Sequence, residues 1–159
     1  MDATEATALR HLLRQQPVAA LATLHRGEPA VSMVPFALLP QGRGVVLHVS
    51  RLATHTADLL AQPAVGLLVM GPPGSAQTPL ALPRASIRGR AQPCPADAAG
   101  YAEARAEYLA KLPDSEELFS FADFSLFVVE VLSVRYVAGF GRAMSVMPAQ
   151  FQAVMGAPS

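Results

Sequence analysis

The sequence predicts a mainly β protein of the α+β kind: a small antiparallel barrel with short flanking helices. Three observations predict it. Apolar runs of strand length recur along the chain, joined by tight Gly/Pro turns and without recurring βαβ alternation. Hydrophobic residues make up 52% of the 159, enough for one buried core and one domain, 1–159. Closing such a sheet also removes the edges through which an apolar β chain would aggregate.

The first element is a helix. Asp2 caps it, and Glu5 three residues on is the reciprocal partner of a capping box. Ala6, Leu9, Leu12 and Leu13 share a face, Arg10 and Arg14 lie largely off it, and Pro17 ends the run. Residues 18–39 read as a hairpin about the turn Arg26-Gly27-Glu28-Pro29. A second turn, 41–44, feeds a strand from Val45 to Val49. Thr54 is placed to cap a short helix over 55–61, with Leu59 and Leu60 toward the core and Pro63 beyond its end.

Ala64 to Met70 is a strand rich in Val and Leu, 71–75 is a loop, and Leu80 to Gln92 is another strand. Gly89 in mid-strand marks a bulge or a close backbone approach. Asp97 starts the second full helix, with Tyr101, Ala104, Tyr108, Leu109 and Leu112 on one face and Pro113 at its stop. An acidic loop follows. Phe124 to Phe140 then reads as one long strand, apolar at both alternations over much of its length, which predicts burial on both sides. Pro148 to Met155 forms a short helix. The count is about six strands.

Several function classes are excluded. Lys+Arg and Asp+Glu are 12 each, so the basic excess of a general nucleic-acid binder is absent. Cys94 is alone, which rules out an intramolecular disulfide and a Cys-based metal cluster. His11, His25, His48 and His55 lack metal-ligand spacing, and there is neither a nucleophile elbow nor a phosphate loop. No basic-then-apolar leader opens the chain, and no apolar run approaches the roughly 20 residues that span a bilayer. The expectation is a soluble, cytoplasmic protein without a membrane partner. A neutral, apolar chain is also expected to place part of its surface in a homodimer interface.

Three segments suggest a ligand. Ser50, Arg51, Thr54, His55 and Thr56 fall at a strand end and the first turn of a helix, where free N–H groups, hydroxyls and positive charge suit one phosphate. The plainer reading is that Thr54 caps, Ser50 turns and Arg51 is solvated. Arg84, Ser86, Arg88 and Arg90 share a strand face by period two, which suits an anion or a solvated surface. Gly139 and Gly141 flank Phe140, either to bend the chain under a flat ring or as a strand exit with Phe140 in the core.

Taken in order, these motifs resemble the pyridoxamine 5′-phosphate oxidase-like, FMN-binding split-barrel superfamily, and more closely its haem-utilisation branch. The residues carrying the likeness are the Ser50–Leu59 segment, Arg84 to Gly89, Asp123-Phe124 and Gly139 to Ala143, within 8–145. The resemblance implies a six-stranded split barrel, dimeric, with two flavin sites at the subunit interface. It implies an FMN phosphate near Ser50, Arg51, His55 and Thr56, beside His48 and Val49. The isoalloxazine would lie along Ser32, Met33, Val34, Pro35 and Phe36, with Arg84 nearby.

The implied function is an FMN-dependent oxidoreductase acting on a small molecule. The alternatives are a haem-binding or haem-degrading protein and a non-catalytic flavin binder. Where the oxidases carry an arginine and a lysine at the two ends of the second strand, this chain has Ser32 and Ala37. Thr54-His55 stands in place of a further Arg-Lys pair, and Asp58 in place of the asparagine usual in the haem branch.

Overall fold

Eight strands form one antiparallel sheet whose two ends are joined through a single residue. The computed structural model describes residues 1–158. The strands are β1 (Val18–His25), β2 (Glu28–Pro35), β3 (Ala37–Leu38), β4 (Val45–Ser50), β5 (Ala64–Met70), β6 (Arg84–Pro93), β7 (Phe124–Gly139) and β8 (Arg142–Val146). Their order is β2-β1-β5-β6-β7-β4-β3, with β8 branching off β7. β2 ends at Pro35 and β3 begins at Ala37, so the buried Phe36 carries the chain from one edge of the sheet to the other. The sheet therefore curls closed. β2 lies against β4 without a ladder between them, and that gap is the split in the barrel.

The barrel interior is filled by Leu21, Val34, Phe36, Leu47, Leu67, Ile87, Phe127, Val129 and Tyr136. The helices are α1 (Ala3–Gln15), α2 (Thr54–Ala61), α3 (Tyr101–Lys111) and α4 (Pro148–Gly156). Leu9 and Leu13 of α1, Leu59 of α2 and Phe151 of α4 extend this core. A second cluster lies outside the barrel, where Ala104 and Tyr108 of α3 pack on Val46, Leu126 and Cys94.

The capping box on α1 is present: Glu5 N–H donates to Asp2, and Asp2 N–H donates to Glu5, both at 2.8 Å. Gly89 sits at a register shift between β6 and β7, and a Cβ there would come within 2.4 Å of Glu130 O. Strand number departs from the expected six. β3 is a two-residue addition, and Phe140-Gly141 is a hairpin turn into β8, with Gly141 at φ 76°. Phe140 is accordingly 76% exposed and not in the core.

Only the first half of β7 is buried on both faces. α3 covers Leu126 there, whereas Glu130, Leu132 and Arg135 farther along face solvent.

Other boundaries shift for local reasons. Ala53, not Thr54, takes the N-cap position of α2, without a side-chain cap. The inner face of that helix runs through Thr56 and Leu59, so Leu60 is exposed. β6 begins at Arg84 because Pro79–Ala81 forms a 3-10 turn. α3 begins at Tyr101 because the chain first turns at Pro95–Ala98, and the acidic loop is a 3-10 stretch, Pro113–Ser120. Arg10 is buried because α4 returns across α1: its guanidinium donates to Val154 O at 2.8 Å.

Candidate functional site

β4 ends at Ser50, and the chain turns through Arg51 and Leu52 into α2. The corner is tied internally. Ser50 Oγ donates to Asp123 Oδ2 at 2.7 Å and accepts from Leu52 N at 3.1 Å. Arg51 N donates to Asp123 O at 2.6 Å, and its guanidinium donates to Ala122 O. Thr56 Oγ1 donates to Ser50 O at 2.5 Å. Three of the four residues expected at a phosphate thus already have partners, and Asp123 adds negative charge. What remains for an anion is the pair of leading N–H groups of α2 and the half-buried His55. Burial lowers the His55 pKa, and Asp58 partly offsets that.

His48 lies on the outer face of β4. Phe119 stacks on its ring at 3.8 Å, and Tyr108 meets it edge-on at 5.7 Å. Burial, with Arg105 second, pushes its pKa down to about 4, so the imidazole is neutral at neutral pH. Its Nδ1 is buried without a partner. A cavity of about 400 Å³ opens beside it, lined among others by Arg51, Cys94, Tyr101, Phe119 and Phe124. Val49 alternates to the barrel core.

β2 pairs with β1 on one side only, so alternate backbone N–H and C=O groups of its other edge face the split. Val34 and Phe36 point inward, while Met33 is 62% exposed on the outside and Pro35 is half-buried. Ser32 Oγ is buried and has no hydrogen-bond partner. Two of the four orphaned buried polar atoms found among the described residues, Ser32 Oγ and His48 Nδ1, therefore belong to the expected cofactor set.

Arg84 is not brought to this place within one chain. It pairs with Val137 of β7, whereas Ser50 pairs with Phe124 of the same strand, about 40 Å away at 3.3 Å per residue. Its guanidinium donates to Leu80 O and Leu82 O, each at 3.1 Å.

One arrangement escaped the sequence. Asp58, buried on α2, accepts from His25 Nδ1 at 2.7 Å and from Thr23 Oγ1 at 3.3 Å. The only sequence signal for it was an aspartate standing where asparagine is usual. Among the described residues, no group of three or more His, Cys, Asp or Glu could hold a bare metal ion.

Comparison with known proteins agrees with this architecture. The chain is 39% identical over 119 residues to a chloroplastic non-canonical haem oxygenase, HOZ, of Arabidopsis thaliana, covering 75% of this chain and 35% of that one. It is 30% identical to a haem-binding protein from Mycobacterium smegmatis, with a TM-score of 0.84, covering 96% of this chain and 62% of that one. Each of these relatives is considerably longer than the part matched. An FAD-binding protein from Mesorhizobium loti shares the fold, with a TM-score of 0.64 at 19% identity over 84% of this chain and 92% of that one. The family model for pyridoxamine 5′-phosphate oxidase matches residues 6–138, and the chain belongs to that family.

Proposed function

We propose that the chain is an FMN-binding flavoprotein, an oxidoreductase for a small-molecule substrate, acting as a homodimer. The observation that carries this reading is the free edge of β2 at the split, with Ser32 Oγ buried and unpartnered on it. A pyrimidinedione edge offers alternating donors and acceptors, which is what such a strand edge can hold. Ser32, Met33, Val34, Pro35 and Phe36 would bind the ring, and His55 with the N-terminus of α2 the phosphate. Bound flavin supplies the hydride or electron transfer. The chain's residues bind and orient it, and neutral His48 with Phe119 would exclude water from the β4 side.

The ring fits this chain better than the phosphate does, because Asp123 already holds Ser50. Arg84 would reach the site only from a second copy, which is the argument for a dimeric site. The test is ligand identification by mass in the purified chain, followed by FMN titration and turnover assays. Tight FMN binding without turnover would leave a flavin carrier instead of an oxidoreductase. No binding of FMN or riboflavin would remove the flavin reading.

A second reading, haem binding, is favoured by two observations. The relatives at 39% and 30% identity bear haem names. The His25–Asp58 pair is also an imidazole held by a carboxylate, with its other nitrogen open. An intense Soret band after haem addition would support it.

A further inference from the structure

We propose that Lys111 is a covalent capture site for small apolar aldehydes, which enter the cavity beside it and form an imine with Nζ.

Lys111 is the only lysine in the chain. It ends α3, one turn after Glu107, the spacing at which a helix pairs a carboxylate with an ammonium. No such bridge forms, and among the described residues no carboxylate oxygen lies within 4.0 Å of Nζ. The amine turns inward instead. It donates to Leu13 O in the last turn of α1 at 3.0 Å and lies 3.6 Å from the centroid of the Phe36 ring.

A cavity of about 340 Å³ opens beside the half-buried Lys111. It is walled by α1, β3 and the turn after it, α3 and α4, and Leu13, Leu38, Leu39 and Met155 make the wall largely apolar. Its size suits a small ligand. Arg14 of α1 and Glu107 of α3 are the charged groups that share it with Lys111; β3, its turn and α4 bring none. β3 pairs with Val45 and Val46, so the cavity lies toward the opposite end of β4 from the Ser50 corner.

Burial lowers the Lys111 pKa to about 8, which leaves about a tenth of the amine neutral at pH 7. In that form one N–H stays on Leu13 O and the other meets the Phe36 face, so the lone pair is left for the cavity. The lone pair attacks the aldehyde carbon, and the C–N bond forms as the carbonyl π pair moves to oxygen. A proton passes from nitrogen to that oxygen. The hydroxyl then leaves as water as the C=N bond forms, and Glu107 is the group in the cavity able to carry the protons. Amine and aldehyde give imine and water, with no oxidant or reductant required. The apolar wall selects an apolar body, and an aldehyde is the carbonyl least hindered at a half-buried amine.

The experiment equilibrates the full chain with benzaldehyde at pH 7 and traps the imine with borohydride. Intact mass gives the fraction modified, and peptide mapping gives the position. Wild type, Lys111→Arg and Ala110→Trp are compared with Nα-acetyl-lysine. Arginine keeps a donor for Leu13 O, and tryptophan at the exposed Ala110 obstructs the cavity. Circular dichroism checks that each variant is folded.

The expected result is one adduct on Lys111, half-formed at a benzaldehyde concentration at least tenfold below that for Nα-acetyl-lysine. Ala110→Trp should raise that concentration at least fivefold, and Lys111→Arg should be modified at no position other than the terminal amine. Half-formation at the Nα-acetyl-lysine concentration, or an unmodified Lys111, would overturn the proposal and leave Lys111 as a tie between α1 and α3. A folded Ala110→Trp that matches wild type would overturn it equally, because capture would then not pass through the cavity.

Discussion

Ser50 and Asp123, far apart in sequence, are joined by a 2.7 Å hydrogen bond at the corner where β4 turns into α2. The bond orders the corner, yet it places a carboxylate where the proposed phosphate must lie. FMN should therefore bind more tightly to Asp123→Asn than to wild type. Removing a charge repulsion near an anion is worth about 1 kcal/mol at a solvated site, or roughly fivefold in Kd. Riboflavin, lacking the phosphate, should be indifferent to the change. Fluorescence titration of both ligands against both proteins checks this, and an equal gain for riboflavin would move the effect away from the phosphate.

His48 predicts an acid limb in stability. Its folded pKa, about 4, lies below the ordinary value of 6.5, so the folded form resists protonation. Its contribution is complete above pH 6.5 and is lost as pH falls toward 4, where the unfolded chain takes up the proton first. The full loss is at most about 3 kcal/mol. His48→Phe retains the stack on Phe119, removes the unpartnered Nδ1 and cannot titrate. Its urea midpoint should match or exceed wild type at pH 7 and stay flatter between pH 6.5 and 4.5. A parallel decline in both proteins would assign the acid sensitivity to other groups.

What the sequence disclosed depended on how locally each feature was encoded. Asp2 and Glu5 lie within one turn, and Gly89 announces a backbone approach at its own position, so both were legible. Arg10 was misread because its partner, Val154 O, belongs to a helix at the opposite end of the chain. Leu60 was misplaced because two adjacent leucines in a short helix cannot both face inward, and only packing decides between them. The β7–β8 hairpin was hidden in a segment that also reads as a strand exit. At the candidate site, motif order points to β2 and the β4–α2 corner, whereas His25–Asp58 and Ser50–Asp123 are tertiary pairs without spacing signatures. The separation of Arg84 from the corner, roughly 40 Å of strand at about 3.3 Å per residue, follows from strand register, which no local pattern specifies.

Gly89 gives a test of the fold alone. A Cβ there would meet Glu130 O and Val129 Cγ1, each at 2.4 Å, and backbone cannot easily yield. Gly89→Ala should destabilise by about 1–3 kcal/mol through forced displacement of β7. Thermal melts of the variant against Gly100→Ala, where a Cβ meets nothing within 4 Å, separate crowding from a general loss of glycine.

The last prediction concerns the second copy. Val31 and Met33 on β2, with Val18 on β1 and Met70 on β5, make an exposed apolar patch on the outside of the sheet. Register places Met70 directly beside Arg84, so the patch is continuous with the arginine that one chain holds far from its own corner. A copy docked on this face would bring its Arg84 toward the neighbour's cofactor and bury the patch together. Val31→Asp combined with Met33→Asp should shift light scattering from twice the 16.7 kDa chain mass to the chain mass itself. An expected loss of about a hundredfold in dimer affinity corresponds to about 3 kcal/mol. Complementation is the sharper measurement. Arg84→Met and His55→Ala chains each spoil a different half of the site, and each alone should bind FMN poorly. In a mixed dimer, one site receives intact Arg84 and intact His55 from opposite chains, while the other receives both lesions. Mixing the two proteins should therefore restore tight binding at about one site per mixed dimer. No recovery on mixing, with subunit exchange confirmed by mass, would place Arg84 outside the cofactor site.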